Sequence, residues 1–140
     1  MTARDVMNPN VRAARPIAVG RDLAFQLIQM KYNGLPVVDS ENRVIGIVTG
    51  LDLLHAVEDG KDLRAIKAED IMMTPVISAR EDEEIHSVIH KMIGKGIICL
   101  PVEGDDGRLL GIISRADILR HLLDPFIDHF DHPAFVTLKG

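Results

Sequence analysis

The sequence is poor in the residues that staple or mark a protein: 140 residues hold one cysteine, no tryptophan, one tyrosine and four phenylalanines. A single cysteine excludes an internal disulfide. Cys99 lies in an apolar run, where a buried, inert thiol suited to a reducing cytoplasm is expected. Positive charge is also short. Sixteen Lys and Arg face 21 Asp and Glu, a formal net charge of −5, which argues against nucleic acid as a partner because a phosphate backbone needs a basic face. No apolar run approaches the roughly 18 residues of a membrane span, and Met1 to Asp5 lead into polar residues rather than a signal-peptide core, so no membrane is expected either. Nucleophile-elbow, P-loop, dinucleotide-fold and zinc-protease patterns are all missing, so neither an enzyme nor a catalytic cofactor is expected.

What remains is ordinary for a folded chain: 46% hydrophobic and 26% charged residues, enough for one domain or two small subdomains sharing a core. The main positive feature is a duplication. Asp5-Val6-Met7 recurs as Asp70-Ile71-Met72, Leu35-Pro36-Val37 as Leu100-Pro101-Val102, and Asp52-Leu53-Leu54 as Asp117-Ile118-Leu119, all 65 positions on. Between these blocks the register reads as slipped. Leu23 to Met30 matches Ile85 to Met92 at an offset of 62, as if the first copy had three extra residues before its helix and three fewer after it. The copies are assigned to 1–60 and 68–124, with a polar linker at 61–67 and a tail at 125–140. Residues 1–67 carry nine basic and eight acidic groups, whereas 68–140 carry seven and 13, so the acidity belongs to the second copy and tail.

Each copy reads as β-α-β-β-α. Ile85, Val88, Ile89 and Met92 fall on one helix face, as do Leu23, Leu27 and Met30, and the acidic run Glu81 to Glu84 reads as a first helical turn that complements the dipole. Short β-branched runs follow, joined by turn-forming stretches at Asp39 to Arg43 and Gly104 to Gly107. About 60 residues cannot cover both faces of a three-stranded sheet. The two copies are therefore expected to form an α/β (α+β) fold, packed about a pseudo-twofold axis through their sheets, with ligand sites in the cleft between them.

The sharpest local pattern is Gly46-Ile47-Val48-Thr49-Gly50-Leu51-Asp52, repeated as Gly111-Ile112-Ile113-Ser114-Arg115-Ala116-Asp117. In each, a strand ends at a hydroxyl that opens a helix, with a carboxylate three residues on. A capping box explains both residues. The same geometry also suits a ligand, since a helix N-terminus offers free N–H groups to a phosphate and the carboxylate can accept from a ribose diol.

Taken with Val6-Met7, Ile71-Met72-Met73-Thr74-Pro75 and the paired Leu-Pro-Val strands, these turns make residues 3 to 123 resemble a tandem cystathionine-β-synthase-type (CBS) domain pair, or Bateman module. The resemblance implies a regulatory module binding AMP, ADP, ATP, S-adenosylmethionine or NAD as an effector. It assigns Asp52 and Asp117 to ribose, Thr49 and Ser114 to phosphate, and the base to Thr74, Pro75, Ile77 and Ser78 with Ile98, Cys99, Leu100 and Pro101. It also implies a homodimer. The shortened segment before Leu35 makes the two sites unequal, and the better one is expected to contain Ser114 and Asp117, with Arg115 as a cation beside the phosphate. Arg12 and Arg15 are within reach of an anion in the cleft, but spacing does not orient them and they read as solvated.

The tail holds Phe126, Phe130 and Phe135 and is expected to cover its own module or a partner's. His121, His129 and His132 with Asp128 and Asp131 have metal-ligand chemistry without convergent spacing, and His86 and His90 read as a solvated pair, so no metal is assigned. The alternative to a sensor is a ligand-free interaction module whose Thr/Ser and Asp residues are only caps. In either case the output is expected to pass to a regulated partner protein or a second copy.

Overall fold

A computed structural model of the chain describes residues 1–123 and 134–139. The first half runs through α1 (Ala3–Val6), α2 (Gly20–Gln29), β1 (Gly34–Val38), β2 (Val44–Thr49) and α3 (Gly50–Glu58). The second runs through α4 (Ala68–Ile71), β3 (Ala79–Arg80), α5 (Ile85–Lys95), β4 (Cys99–Glu103), β5 (Leu109–Ser114) and α6 (Arg115–Leu123). β1 and β2 form an antiparallel hairpin, and β4 and β5 form its counterpart, with β3 added parallel to β4. The first copy's opening strand shrinks to one bridging pair, Ala14 with Val37. Pro16 is the reason. It stands where the second copy has Glu81, whose N–H reaches the Glu103 carbonyl at 3.3 Å, and proline has no N–H to give.

The hairpin turns close as their composition predicts. The Asp39 carboxylate accepts from the N–H groups of Glu41 and Arg43 at 2.9 and 3.0 Å, while Asn42 takes φ +66. In the other turn Gly107 takes φ +83 and the Asp106 carboxylate accepts from the Arg108 N–H at 3.0 Å.

The short opening helices are exchanged between the copies. Ala3 and Val6 of α1 are buried in the core of the second copy with Val88, Leu100, Val102 and Ile113. Ala68 of α4 lies in the first copy's core with Leu23, Leu35, Val37 and Val48. The backbone pairing is matched residue for residue: the Ala3 and Arg4 N–H groups reach the carbonyls of Glu83 and Glu81, and those of Ala68 and Glu69 reach Ala18 and Pro16. Neither core is complete without the other copy's opening segment. Residues 61–67 are accordingly not a loose linker, since the carbonyls of Ile66 and Leu63 accept from the N–H groups of Gly20 and Arg21 at 2.8 Å.

These pairings also remove the register slip. Gly20 N–H meets Ile66 where Ile85 N–H meets Met1, so the two helices begin 65 positions apart, like every other block. Leu23 then corresponds to Val88, both buried, and Leu27 to Met92. No residues are missing before Leu35. A three-residue shift matches the sequence equally well because it moves an apolar residue to another position on the same helix face. Met30, counted on that face, is exposed at the end of α2. α5 likewise starts only at Ile85, with Glu84 as its cap accepting from the His86 N–H at 2.7 Å.

Of the acidic run before it, Glu83 is the structural member. Burial pushes its carboxyl up, but the Ser87 hydroxyl at 2.8 Å and the Lys91 ammonium at 3.1 Å outweigh that and hold it below the usual glutamate range. Its stabilisation is therefore present above the unfolded-state value and lost as pH falls through the folded one.

The copies join across a symmetric seam. Met73 pairs with Ile47, and 65 positions away Asn8 pairs with Ile112, while Arg43 and Arg108 meet near the pseudo-twofold axis. No helix among the described residues is long and apolar enough to cross a membrane. Of the tail, Phe135 is 76% exposed rather than covered within the chain. Phe126, Phe130, Asp128, Asp131, His129 and His132 lie outside the described residues, and among those described no group of His, Cys, Asp or Glu is arranged to hold a metal. His86 and His90 are both exposed on α5.

Candidate functional site

Each β-strand that ends in a hydroxyl residue delivers it to a helix N-terminus, as its sequence requires. At the start of α3 the Asp52 Oδ2 accepts from the Thr49 N–H at 2.7 Å and the Thr49 hydroxyl at 3.1 Å. At the start of α6 the Asp117 Oδ2 accepts from the Ser114 N–H at 2.8 Å and hydroxyl at 2.9 Å, and the Asp117 N–H donates to the Ser114 Oγ at 3.2 Å. Both turns are thus capping boxes. Each carboxylate spends only one oxygen there. Asp117 Oδ1 takes Arg120 Nη1 at 3.2 Å, and Asp52 Oδ1 takes no hydrogen bond among the described residues.

The turns open onto two clefts, and the exchange of opening segments decides what lies opposite each. Thr49 and Asp52 face Met73, Ile77 and residues 96–99 of the second copy across a cleft of about 180 Å³. Ser114 and Asp117 face Asn8, Arg12 and residues 31–34 of the first copy across a cleft of about 160 Å³. Ser114 and Asp117 therefore share no cleft with Thr74 to Ser78. The duplicated fold pairs each turn with the other copy's wall.

Among the residues singled out from sequence, Thr49, Asp52, Ile77, Ile98 and Cys99 come together in the first cleft, and Ser114, Asp117 and Cys99 in the second. Cys99 belongs to both because it sits between them, its Sγ only 2.8 Å from where a Cβ on Gly34 would lie. Burial pushes this thiol up to about 12, so it carries no thiolate near neutral pH.

The others lie elsewhere. Leu100 is fully buried in the second core and Pro101 is equally enclosed, because β4 is covered on both faces. Thr74 and Pro75 are exposed and line neither cleft, and the Ser78 carbonyl is occupied by Lys91 Nζ at 2.7 Å. Arg115, expected beside the Ser114 site, lines neither cleft. Its Nε donates to the Ile97 carbonyl at 3.1 Å, and it lines an apolar groove with Ile93, Ile118 and Leu122 on the outer side of α5 and α6. A residue at the first position of a helix can point along either side of the turn, which spacing alone does not fix.

The opposite wall of the Ser114 cleft is built largely from residues that no sequence motif marks. Arg12 lines the Ser114 cleft while its Nε donates to Gln26 Oε1 at 2.7 Å, whereas Arg15 turns away to the Asp39 carbonyl. Lys31, Tyr32 and Asn33 complete that wall. Lys31 takes φ +56, where the second copy has Gly96 at φ +63. A lysine held there costs about 1 kcal/mol relative to glycine. The duplication offset would have found all of these, since Arg12 and Lys31 stand 65 positions before Ile77 and Gly96. On its outer side Asp52 also borders a wide basin of about 550 Å³ with Asp59, Lys61, Asp62 and Asp70.

Comparison with known proteins follows this geometry. A family model described as the CBS domain matches residues 3–59 and 68–124. An uncharacterised protein of Methanopyrus kandleri is 32% identical over 124 residues, 88% of this chain and 62% of that protein, so the chain spans under two thirds of that relative. The CBS domain pair of protein MJ0100, solved with 5′-methylthioadenosine and S-adenosyl-L-methionine, matches with a TM-score of 0.79 at 31% identity, covering 87% of this chain and 95% of that one. CBSX2, solved in complex with AMP, matches with a TM-score of 0.77 at 26% identity, covering 87% and 96%.

Proposed function

The chain belongs to the CBS domain family, and from that premise we propose that it is a regulatory module binding adenosine-containing ligands in its two clefts, without catalysing a reaction of its own. The observation that carries this reading is the doubled arrangement of a hydroxyl and a carboxylate at a helix N-terminus, each opening onto a cleft walled by the other copy. The carboxylate oxygen not used as a cap is the acceptor for a ribose diol, and the helix N–H groups are further donors beside it. Two solved relatives that hold adenosyl compounds support it. A ligand bridging the copies favours one relative arrangement over another, which is the signal.

A panel of AMP, ADP, ATP, S-adenosylmethionine, 5′-methylthioadenosine and NAD tests this by thermal shift, because a ligand at 100 times its Kd adds about 2.7 kcal/mol. Asp117→Ala is expected to remove the shift from the ligand of its cleft while lowering apo stability by only about 1 kcal/mol, the size of a lost cap. The ligand-free interaction reading rests on a real observation, that Oδ2 of both aspartates is committed to capping. It gains if no member of the panel shifts the melting and Asp117→Ala acts on stability alone.

The same proposal includes a homodimer. α2 and α3 leave Phe25, Ile28, Leu51 and Leu54 exposed, and α5 and α6 leave Ile93, Leu119 and Leu122 exposed, a large apolar area for one chain. Sedimentation velocity should give a dimer, and Leu54→Glu with Leu119→Glu should shift it to monomer. A monomeric parent chain removes this part of the proposal.

A further inference from the structure

The two clefts share one frame and differ in one respect, their charge. Position by position, Thr49 corresponds to Ser114, Asp52 to Asp117 and Gly34 to Cys99, all 65 residues apart, so duplication preserved the part that would hold a ribose. The facing walls diverged. Asn8, Arg12, Lys31 and Asn33 line the Ser114 cleft where Met73, Ile77, Gly96 and Ile98 line the Thr49 cleft. One wall carries two cations and two amides; the other is apolar, and among the described residues Asp52, which faces it, is the only charged residue lining that cleft.

The surroundings reinforce the contrast. Arg12 and Lys31 have no carboxylate partner among the described ion pairs, and Arg12 is steadied through Nε on Gln26, which leaves both terminal guanidinium nitrogens to donate. Lys31 occupies a left-handed position that its counterpart fills with glycine, so a cation is held at the cleft mouth despite the backbone conformation it must adopt. Beside the Thr49 cleft, Asp52 opens outward onto Asp59, Asp62 and Asp70, opposed by Lys61 alone among lysines and arginines. These carboxylates add negative potential behind the Thr49 cleft, which opposes a phosphate there and does not oppose a neutral or cationic substituent.

The geometry points to two chemically distinct sites: the Ser114 and Asp117 cleft takes an adenosine ligand with an anionic, phosphorylated 5′ substituent, and the Thr49 and Asp52 cleft takes one with an uncharged or cationic 5′ substituent, such as a thioether or sulfonium. This rests on the adenosyl-binding reading above and deepens it. The chain would then respond to two effectors at once rather than to two molecules of one.

Isothermal titration of the full chain with AMP and with 5′-methylthioadenosine, singly and together, tests it. One of each per chain is expected, without mutual displacement. In the double variant Arg12→Ala with Lys31→Ala, AMP affinity should fall about tenfold or more while the thioether nucleoside binds within twofold of the parent. Asp52→Ala should lose the nucleoside and keep AMP. Both altered cations are exposed side chains, so an unchanged apo melting temperature verifies that the variant is folded. If both ligands bind but compete, if the nucleoside does not bind, or if the charge variant leaves AMP untouched or weakens both ligands alike, the two-site assignment is overturned while adenosyl binding stands. If neither ligand binds the parent chain this assignment is overturned, and if no member of the wider panel binds the adenosyl reading falls with it.

Discussion

Gly111→Val should lower stability by about 3 kcal/mol and the melting temperature by about 10 °C. A Cβ at Gly111 would lie 2.7 Å from Met7 Sδ and 2.8 Å from the Asn8 carbonyl oxygen. A flexible methionine can retreat; a backbone carbonyl in the seam cannot. That carbonyl accepts from the Ile112 N–H at 3.1 Å while the Ile112 carbonyl accepts from the Asn8 N–H at 2.8 Å, so a bulkier residue pushes directly on the pairing that joins the copies. Gly46 is the counterpart, but the atoms nearest its missing Cβ all belong to the Met72 side chain, at 2.5 Å and beyond. The two sites should therefore differ in a double-mutant cycle. Met72→Ala is expected to relieve most of the cost of Gly46→Ala, whereas Met7→Ala relieves only part of the cost of Gly111→Ala. Urea denaturation measures both, and a Gly111→Val variant within 1 kcal/mol of the parent would contradict the packing described.

Ala3→Asp should cost about 3 kcal/mol or more, and its effect should appear far along the chain from the substitution. Ala3 is 0% exposed inside the second copy's core, so an aspartate there is either a buried charge without a partner or an expelled helix. Amide hydrogen exchange distinguishes which half responds. Protection should fall first in β4, β5 and α5, although Ala3 is nearer in sequence to β1 and β2. Ala68→Asp should do the reverse, exposing the first copy. Loss confined to the half that contains the substituted residue would mean that the opening helices are not exchanged.

That exchange marks the limit of what the sequence could disclose. The repeated blocks, both hairpin turns and the capping pattern of Ser114 and Asp117 are legible because they depend on neighbours a few residues away. The helix register is not. A match of Leu23 with Ile85 looked as good as the correct match with Val88, because apolar residues on a helix recur at three and four positions and a three-residue slip preserves the buried face. Only the backbone pairing of Gly20 with Ile66 and of Ile85 with Met1 separates the two registers. It also explains why a glycine can stand where the second copy has isoleucine: a Cβ at Gly20 would lie 2.9 Å from Ile66, which already fills that space.

The candidate site divides along the same line. Sequence by itself determined that the chain is duplicated, that each half is a helix-flanked hairpin, and that a hydroxyl and a carboxylate stand at each strand-to-helix turn, since all of this follows from local periodicity and hydrogen bonding. Tertiary structure alone decided that Asp117 looks across at Arg12 and Lys31, that Asp52 looks across at Ile77 and Ile98, and that Arg115 turns to the Ile97 carbonyl outside both clefts. The physical reason is that a four-residue helix cannot bury its apolar side chains alone. Which core receives it depends on where the chain can reach and pack, and nothing within those four residues states whether that core is their own copy's or the other's.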